Sequence, residues 1–408
     1  MIKRIIFFLV ILGLFLPGFV MANDFGVVLN QYAETTNSAS EDTSFEYDAL
    51  LIPRALFLFG EPSSPSGALF VSAGLKLEYK DDLQFIPELL RTEFFMQRHG
   101  LGLRLGRFGY ATPLPLLADG LFDGVQVSYS SSLGRFRAGA WYTGLLYKDR
   151  ANIDITGNDR HINETELDYS KFSETYFAPA RLLTSIDYEH FAIADILRLN
   201  ANFTAQTDLS DKSGKFHSQY LTLKAGLPVY GFFFEAGGIV STFQAEGNDD
   251  FKLGYAGEFG ISRALPTGFP SRIFLFGQYA SGRSDGVGAA FVPITKNGAS
   301  DIFDARIAAL TTLGLNYTAR FVETLGSNLS FKYFMRNDLS TYNTFPIEGE
   351  GEHEHLLGAE IFAKFIWSPV SDIAVNLGAG AFLPALGNNW KDTGPVWLVN
   401  LTAIVTLY

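Results

Sequence analysis

The chain predicts an all-β fold, a single transmembrane antiparallel β-barrel of about 18 strands (16–18), and three observations carry that prediction. The first is alternation. From Leu197 to Gln206 the residues Leu197, Leu199, Ala201, Phe203 and Ala205 are apolar, and Arg198, Asn200, Asn202, Thr204 and Gln206 are polar. A period of two gives each set its own face of a strand. In a membrane barrel the apolar face meets lipid and the polar face meets water. The second is composition. Of 408 residues 47% are hydrophobic and 18% charged, with 38 Phe and 40 Gly. Yet no apolar window of about 18 residues follows residue 22, so no helix can span a bilayer. The third is rhythm. Tight turns at 131–134, 226–231, 265–270 and 367–372 alternate with longer segments at 148–180, 207–214, 244–251, 282–302, 337–354 and 386–393. Periplasmic turns and extracellular loops follow this order; a soluble sandwich or propeller, the alternative fold, has no reason to.

The elements follow in order. Residues 1–22 read as a cleaved signal peptide: Lys3 and Arg4, an apolar run from Ile5 to Leu16, then Val20-Met21-Ala22 before Asn23. The run is too short to span a bilayer. The absence of Cys excludes a lipoprotein anchor, disulfides and Cys-ligated metals, and suits an oxidising compartment. Residues 23–408 then form the barrel, in the outer membrane of a double-membraned bacterium. Strands are expected near 25–34, 45–60, 67–80, 91–98, 101–108, 120–131, 134–147, 181–190 and 194–207. The second half continues near 215–226, 229–243, 252–264, 271–281, 303–319, 325–336, 355–368, 372–385 and 394–408. The least regular are 45–60, interrupted by Pro53, and 91–98, whose approach from Phe85 to Arg91 could be a helical turn. Phe232, Phe233, Phe234, Phe365 and Trp367 flank expected turns, and Tyr188, Tyr317 and Tyr333 fall on the apolar face, as an interfacial belt requires.

Charge sorts by place. The net charge is −12, which argues against nucleic acid as a partner, and removal of Lys3 and Arg4 lowers it to −14. Acids collect in the expected loops, for example Asp154, Asp159, Glu164, Glu166, Asp168 and Glu174. The residues that alternation turns inward lean basic: Arg135, Arg137, Arg198, Lys224, Lys252, Arg272, Arg306, Arg320, Lys332, Arg336 and Lys364. They face fewer acids, Asp187, Glu189, Glu235, Glu258, Glu360 and Asp372. Such a lining concentrates anions; alternatively, the cations pair with neighbouring acids and stiffen the wall. The 148–180 loop either folds inward to narrow a pore or lies outside as a lid. The glycine-bearing 282–302 loop is the next candidate gate, and 337–354 is the third long loop. In Glu350 to His355 the alternating His353 and His355 could share a metal, though a hydrated acidic loop explains them equally. No G-x-S-x-G or H-E-x-x-H motif occurs, and neither an enzyme activity nor a cofactor is expected.

The segment Leu101 to Lys148 holds an R-L-G-R strand (Arg104 to Arg107), a loop, then F-D-G-V (Phe122 to Val125) and an alternating strand. This segment resembles the alginate-export family of outer-membrane barrels. The resemblance implies 18 antiparallel strands, an arginine-lined lumen that includes Arg104 and Arg107, and diffusion of anionic polysaccharide or small anionic solutes. The terminal Tyr408 resembles the aromatic residue read by the barrel-assembly machinery. The expected partners are therefore that machinery, outer-membrane lipid and anionic or polar solutes. Two function classes stand: a channel for such solutes or an acidic polysaccharide, and an adhesin or capsule-organising barrel acting through its acidic loops.

Overall fold

The computed structural model describes residues 20–37, 43–61, 64–80, 82–247, 251–283, 288–302, 305–339, 355–387 and 394–408. The basic and apolar parts of the expected signal peptide lie outside these residues, as does His353. The strands are β1 (Val20–Asn37), β2 (Thr43–Glu61), β3 (Ser64–Tyr79), β4 (Leu83–Arg98), β5 (Leu101–Ala111), β6 (Asp119–Ser131), β7 (Gly134–Tyr142), β8 (Arg181–Ile193) and β9 (Leu197–Asp208). They continue as β10 (Phe216–Val229), β11 (Phe232–Ala245), β12 (Lys252–Ala264), β13 (Ser271–Ala280), β14 (Leu310–Val322), β15 (Leu325–Arg336), β16 (Leu356–Val370), β17 (Ile373–Leu383) and β18 (Val396–Leu407). Each strand pairs antiparallel with its chain neighbours, and β18 returns to β1, with Val27 opposite Leu407 and Thr36 opposite Leu398. The 18-stranded sheet is thus a closed barrel, and the β1–β18 pairing removes the two end edges that an open sheet in lipid would expose. No helix among the described residues is long and apolar enough to cross a membrane.

Alternation identifies the two faces. Tyr110 on β5 meets the Thr204 hydroxyl on β9 at 3.4 Å, and the Asn202 amide donates to the Tyr110 hydroxyl at 3.3 Å. Strands four apart in the order can touch only across the interior, so Tyr110, Asn202 and Thr204 face inward. Residues opposite one another in register share a face. That rule carries the inner face round the wall, from Lys224 to Gly237, Glu258 and Gln278. The other face is the apolar belt: Phe234, Phe365 and Trp367 lie on it and are exposed. Phe233 departs from the expected belt. It shares the inner face with Glu235, and its ring covers Gly226.

Several boundaries differ from expectation. Phe85 to Arg91 is strand, not helical turn, and extends β4 back to Leu83. Pro53 sits inside β2, opposite Val27 of β1. The β2–β3 register steps from Leu51–Leu75 to Arg54–Ser72, so the missing proline N–H falls in a gap of that ladder. β7 ends at Tyr142, and β14 starts only at Leu310, so 305–309 belongs to a loop. Between β7 and β8 lie three short helices, α1 (Lys148–Ala151), α2 (Gly157–Glu164) and α3 (Phe172–Thr175). In α2 the Thr156 side chain caps the Asp159 N–H while the Asp159 carboxylate accepts from the Thr156 N–H, a reciprocal cap that starts the helix.

The buried apolar cluster sits inside the barrel, towards the long-loop end. Phe108, Tyr110, Phe122, Trp141, Leu183, Tyr220 and Phe334 supply it from the wall, and Leu114, Leu117, Ile153, Phe291 and Ile294 from loops.

Candidate functional site

Three loops meet in the interior. The 112–118 loop crosses it, and Leu114 packs so closely on β11 that a Cβ added to Gly237 would lie 2.7 Å from its Cδ2. The 288–302 segment ties this loop to the others. Its Ile294 N–H donates to Leu117 O at 2.7 Å, its Lys296 N–H to Asn152 O at 2.7 Å, and the Tyr220 hydroxyl donates to Val292 O at 2.8 Å. Asp119 N–H donates to the Thr295 hydroxyl at 2.9 Å. The 148–180 loop thus folds inward rather than lying outside. Its anchor is Arg181, whose wholly buried guanidinium lies 2.6 Å from Asp159 of α2 and 3.2 Å from Asp208 of β9. Burial lowers the pKa of Lys148, against the pull of Asp149 and Glu166, while its ammonium donates to Ile162 O and Thr165 O at the end of α2. Burial would also lower Lys80, beside this loop, but Glu46 and Glu78 outweigh it and hold its pKa up.

The expected basic residues divide into three groups. Some are paired along the wall. Arg104 donates to Glu93 at 2.7 Å, Arg137 lies 3.7 Å and Arg135 3.9 Å from Glu189, and Lys224 lies 2.9 Å from Glu258 and 3.7 Å from Glu235. Lys332 lies 2.7 Å from Asp301 and 3.4 Å from Glu360, fixing the 288–302 segment to β15 and β16. A second group meets no carboxylate among the described residues. Arg198 stacks over Phe233, Arg272 donates to the Ser262 hydroxyl at 2.7 Å, Arg320 donates to Glu323 O at 2.8 Å, and Lys364 faces inward between Asn328 and Gly378. Arg336, at the far end of β15, donates weakly to Leu339 O at 3.4 Å, and Lys252 faces inward opposite Phe243; both stand outside this group and make further interactions.

The third group does not line the interior as expected. Arg306 is not on a strand; it lies in the loop before β14 and pairs with Asp154 of the 148–180 loop. Arg107 is opposite Asp123 and Thr92, in register with the outward face rather than with Phe108 and Tyr110. Gly106, at φ +104°, makes the local twist, and a Cβ there would lie 2.2 Å from Thr92 O. The Arg107 guanidinium is buried, binds Asp123 through two nitrogens at 2.9 and 2.7 Å, and donates to Leu89 O and Leu145 O. It staples β4, β5, β6 and the 143–147 segment. Asp372, expected inward, lies in the β16–β17 turn and accepts from the Ser371 hydroxyl at 2.8 Å. His355 meets Arg336 O through its Nδ1 at 2.8 Å, and no metal-holding group of three exists among the described residues.

Sequence reasoning missed Arg54, Lys76 and Arg91. Arg54 faces inward over the Tyr408 ring, Arg91 pairs with Glu93, and Lys76 lies among Asp48 and Glu78. On β2 the inner face also carries Leu50, Ile52 and Leu56, so two apolar faces hid the alternation. The basic lean is therefore local. Near the long-loop end the inner face of β1 to β3 is acidic, with Glu34, Glu46, Asp48 and Glu78. At the short-turn end two open depressions of about 590 and 600 Å³ share Arg272. One is lined by Arg320, Thr318 and Asn328, the other by Arg198, Phe233 and Ser262.

No family model matches the chain, and no curated protein does. Solved structures do match in fold. Pseudomonas aeruginosa OccK5 (OpdH) superposes with a TM-score of 0.63 at 12% identity, over 96% of this chain and 99% of that one. OccK2 (OpdF) from the same organism gives 0.63 at 14% over the same shares, and it has also been solved in complex with glucuronate. The outer membrane protein OpdK gives 0.60 at 12%, over 96% and 100%. These neighbours place the fold among 18-stranded outer-membrane porins. They are Occ porins and not alginate exporters, and the R-L-G-R and F-D-G residues Arg107 and Asp123, which carried that resemblance, act as a wall staple.

Proposed function

We propose that the protein is a passive channel of the bacterial outer membrane for small polar solutes, with a preference for anions. The long loops then face outward and the short turns the periplasm, as their alternation requires. The observation that carries the reading is the run of inward cations that meet no carboxylate among the described residues, Arg198, Arg272, Arg320 and Lys364, at the periplasmic end. Low-dielectric walls sharpen the field of such unpaired charge and raise the local concentration of anions. The glucuronate bound by OccK2 is a solute of this class. Loops that meet across the interior, at Leu114–Gly237 and Ile294–Leu117, favour small solutes over an acidic polymer. They leave the adhesin reading with less support, because the described 112–118, 148–180 and 288–302 segments are tied to the lumen rather than projecting from it. A diffusion channel has no catalytic step and no cofactor. Insertion into outer-membrane lipid would depend on the barrel-assembly machinery.

Reversal potentials in planar bilayers under a salt gradient test this. The wild type is expected to select anions, and the triple variant Arg198→Gln, Arg272→Gln, Arg320→Gln to move towards cations. Cation selectivity in the wild type, or an unmoved potential in the variant, would overturn the proposal.

A further inference from the structure

Among the described residues the wall splits along the β4–β5 seam. The ladder between β4 and β5 runs from Arg98–Leu101 to Thr92–Arg107 and stops there. Beyond it, Leu83–Arg91 of β4 stay in the barrel beside β3, and Phe108–Ala111 of β5 pair with β6. An unsatisfied strand edge is costly in lipid, and here side chains satisfy three of its carbonyls. The Tyr169 hydroxyl donates to Phe85 O, the Tyr176 hydroxyl to Pro87 O at 2.6 Å, and the Arg107 guanidinium to Leu89 O. These three are alternate residues, whose backbone groups point to the same side of the strand. Pro87, which has no N–H to satisfy, falls on that side.

Both sides of the seam carry apolar side chains, and on the inner side Glu88 is neutralised by Arg150 at 2.9 Å. Phe85, Leu89 and Leu105 are exposed on the outer face, at 50%, 49% and 39%. Behind them Ile86 and Phe108 are fully buried on the inner face, against Tyr147 and the loop core. The closing segment holds itself by stacked rings, Phe172 on Tyr176 with centroids 4.4 Å apart and Tyr147 on Tyr176 at 5.1 Å. Between strands such as β10, β11 and β12, opening the wall means breaking a strand ladder. Here it means releasing two phenol hydroxyls, the Arg107 guanidinium and the Arg150–Glu88 ion pair, 2.9 Å long.

We propose that the β4–β5 seam is a lateral passage between the lumen and the outer leaflet, for amphipathic molecules that carry an apolar ring or chain. It relies on the outer-membrane orientation given above but on neither ion selectivity nor the periplasmic arginines. The seam opens when the 167–177 segment lifts from β4. The apolar inner wall at Ile86 and Phe108 then joins the lipid-facing surface at Phe85 and Leu89.

The chain has no cysteine, so single cysteines report cleanly. Phe108→Cys lies behind the seam. Ile239→Cys is equally buried on the inner face of β11, between intact ladders to β10 and β12. Full-length protein in liposomes is treated with a long-chain N-alkyl maleimide dissolved in the bilayer, or with a sulfonated maleimide in water. The bilayer reagent is expected to label Phe108→Cys at least roughly tenfold faster than Ile239→Cys, since a backbone ladder closes the wall on both sides of Ile239 and not beside Phe108. Adding Tyr169→Phe and Tyr176→Phe, which keeps the rings and removes both hydroxyls, is expected to raise the Phe108→Cys rate further. Where that double change lowers the yield of folded barrel, judged by heat-modifiable gel migration, Tyr169→Phe alone serves, because that ring is 55% exposed. Equal rates at the two cysteines, or acceleration by the aqueous reagent alone, would overturn the lateral passage. Conductance measured on the same preparations reports separately on the axial channel.

Discussion

Replacing Arg181 by methionine removes the only charge that faces Asp159 and Asp208 in the buried triad among the described residues, and the structure sets the size of the effect. Breaking a buried ion pair by deleting one partner costs about 3–5 kcal/mol, because the other charge is stranded. Each carboxylate keeps backbone donors here. Asp159 accepts from Ile155 and Thr156 N–H, both at 2.9 Å, and Asp208 from Ser210 N–H at 2.9 Å. The cost therefore falls near the lower end, about 3 kcal/mol, or roughly a hundredfold in the ratio of docked to undocked α2. Single-channel recording and limited proteolysis of protein in liposomes measure this together. The variant is expected to conduct more, with a noisier open level, and to be cut within 157–180 roughly a hundredfold faster. Combining Arg181→Met with Asp159→Asn should cost less than the sum of the single changes, since the second removes the stranded charge. Wild-type conductance and cleavage rate in Arg181→Met would show that apolar packing alone holds the loop, and would refute the reasoning.

Three further outcomes are expected. Arg107→Met should cost about 3 kcal/mol, because Asp123 loses its partner and two carbonyls lose a donor, and should lower the temperature of heat-modifiable migration while leaving the reversal potential unchanged. Gly106→Ala forces a side chain into φ +104° and onto Thr92 O, and a loss of about 2 kcal/mol should appear as an earlier urea midpoint. Hydrogen bonds from the Ser170 hydroxyl and N–H hold the Asp168 carboxyl below its usual range. That contribution is present above about pH 4 and is lost as pH falls through the lowered value. Pepsin cleavage within 167–177 should therefore accelerate between pH 5 and 3 in the wild type, and less so in Asp168→Asn.

Strand number and face were legible because most strands have one wet and one lipid face. Leu197 to Gln206 sorts residue by residue into the faces that β9 presents. Legibility failed where a residue answers to something other than the pleat. Arg107 failed differently: it stands an odd number of residues from the inward Arg104, so the pleat itself puts it on the outer face, and its inward placement came only from the resemblance. Pro87 marks an edge, but a proline in a strand pattern also reads as a break, so the upper half of β4 was lost. The 148–180 loop was legible as a long loop, but whether it turns inward stayed one of two alternatives. Residues Leu114, Leu117 and Ile294 are apolar in a loop, and only the tertiary partners Gly237 and Leu117 O show which surface they cover. Arg306 was assigned to a strand because alternation runs on past the true start of β14.

The interlocked loops also constrain the order of assembly. Lys296 hydrogen-bonds Asn152, and Arg306 pairs with Asp154, across most of the sequence between β7 and β14. Neighbouring hairpins can form as soon as both strands exist, since the chain separation they close is small. The plug cannot, because its pieces meet only when the wall that carries them has curved round to bring β5, β11 and β15 to face one another. A freshly inserted barrel would thus pass through a stage in which the wall is complete and the lumen unobstructed. The time spent there, and with it the leakage a cell tolerates during each insertion, is set by how fast three sequence-distant loops find one another.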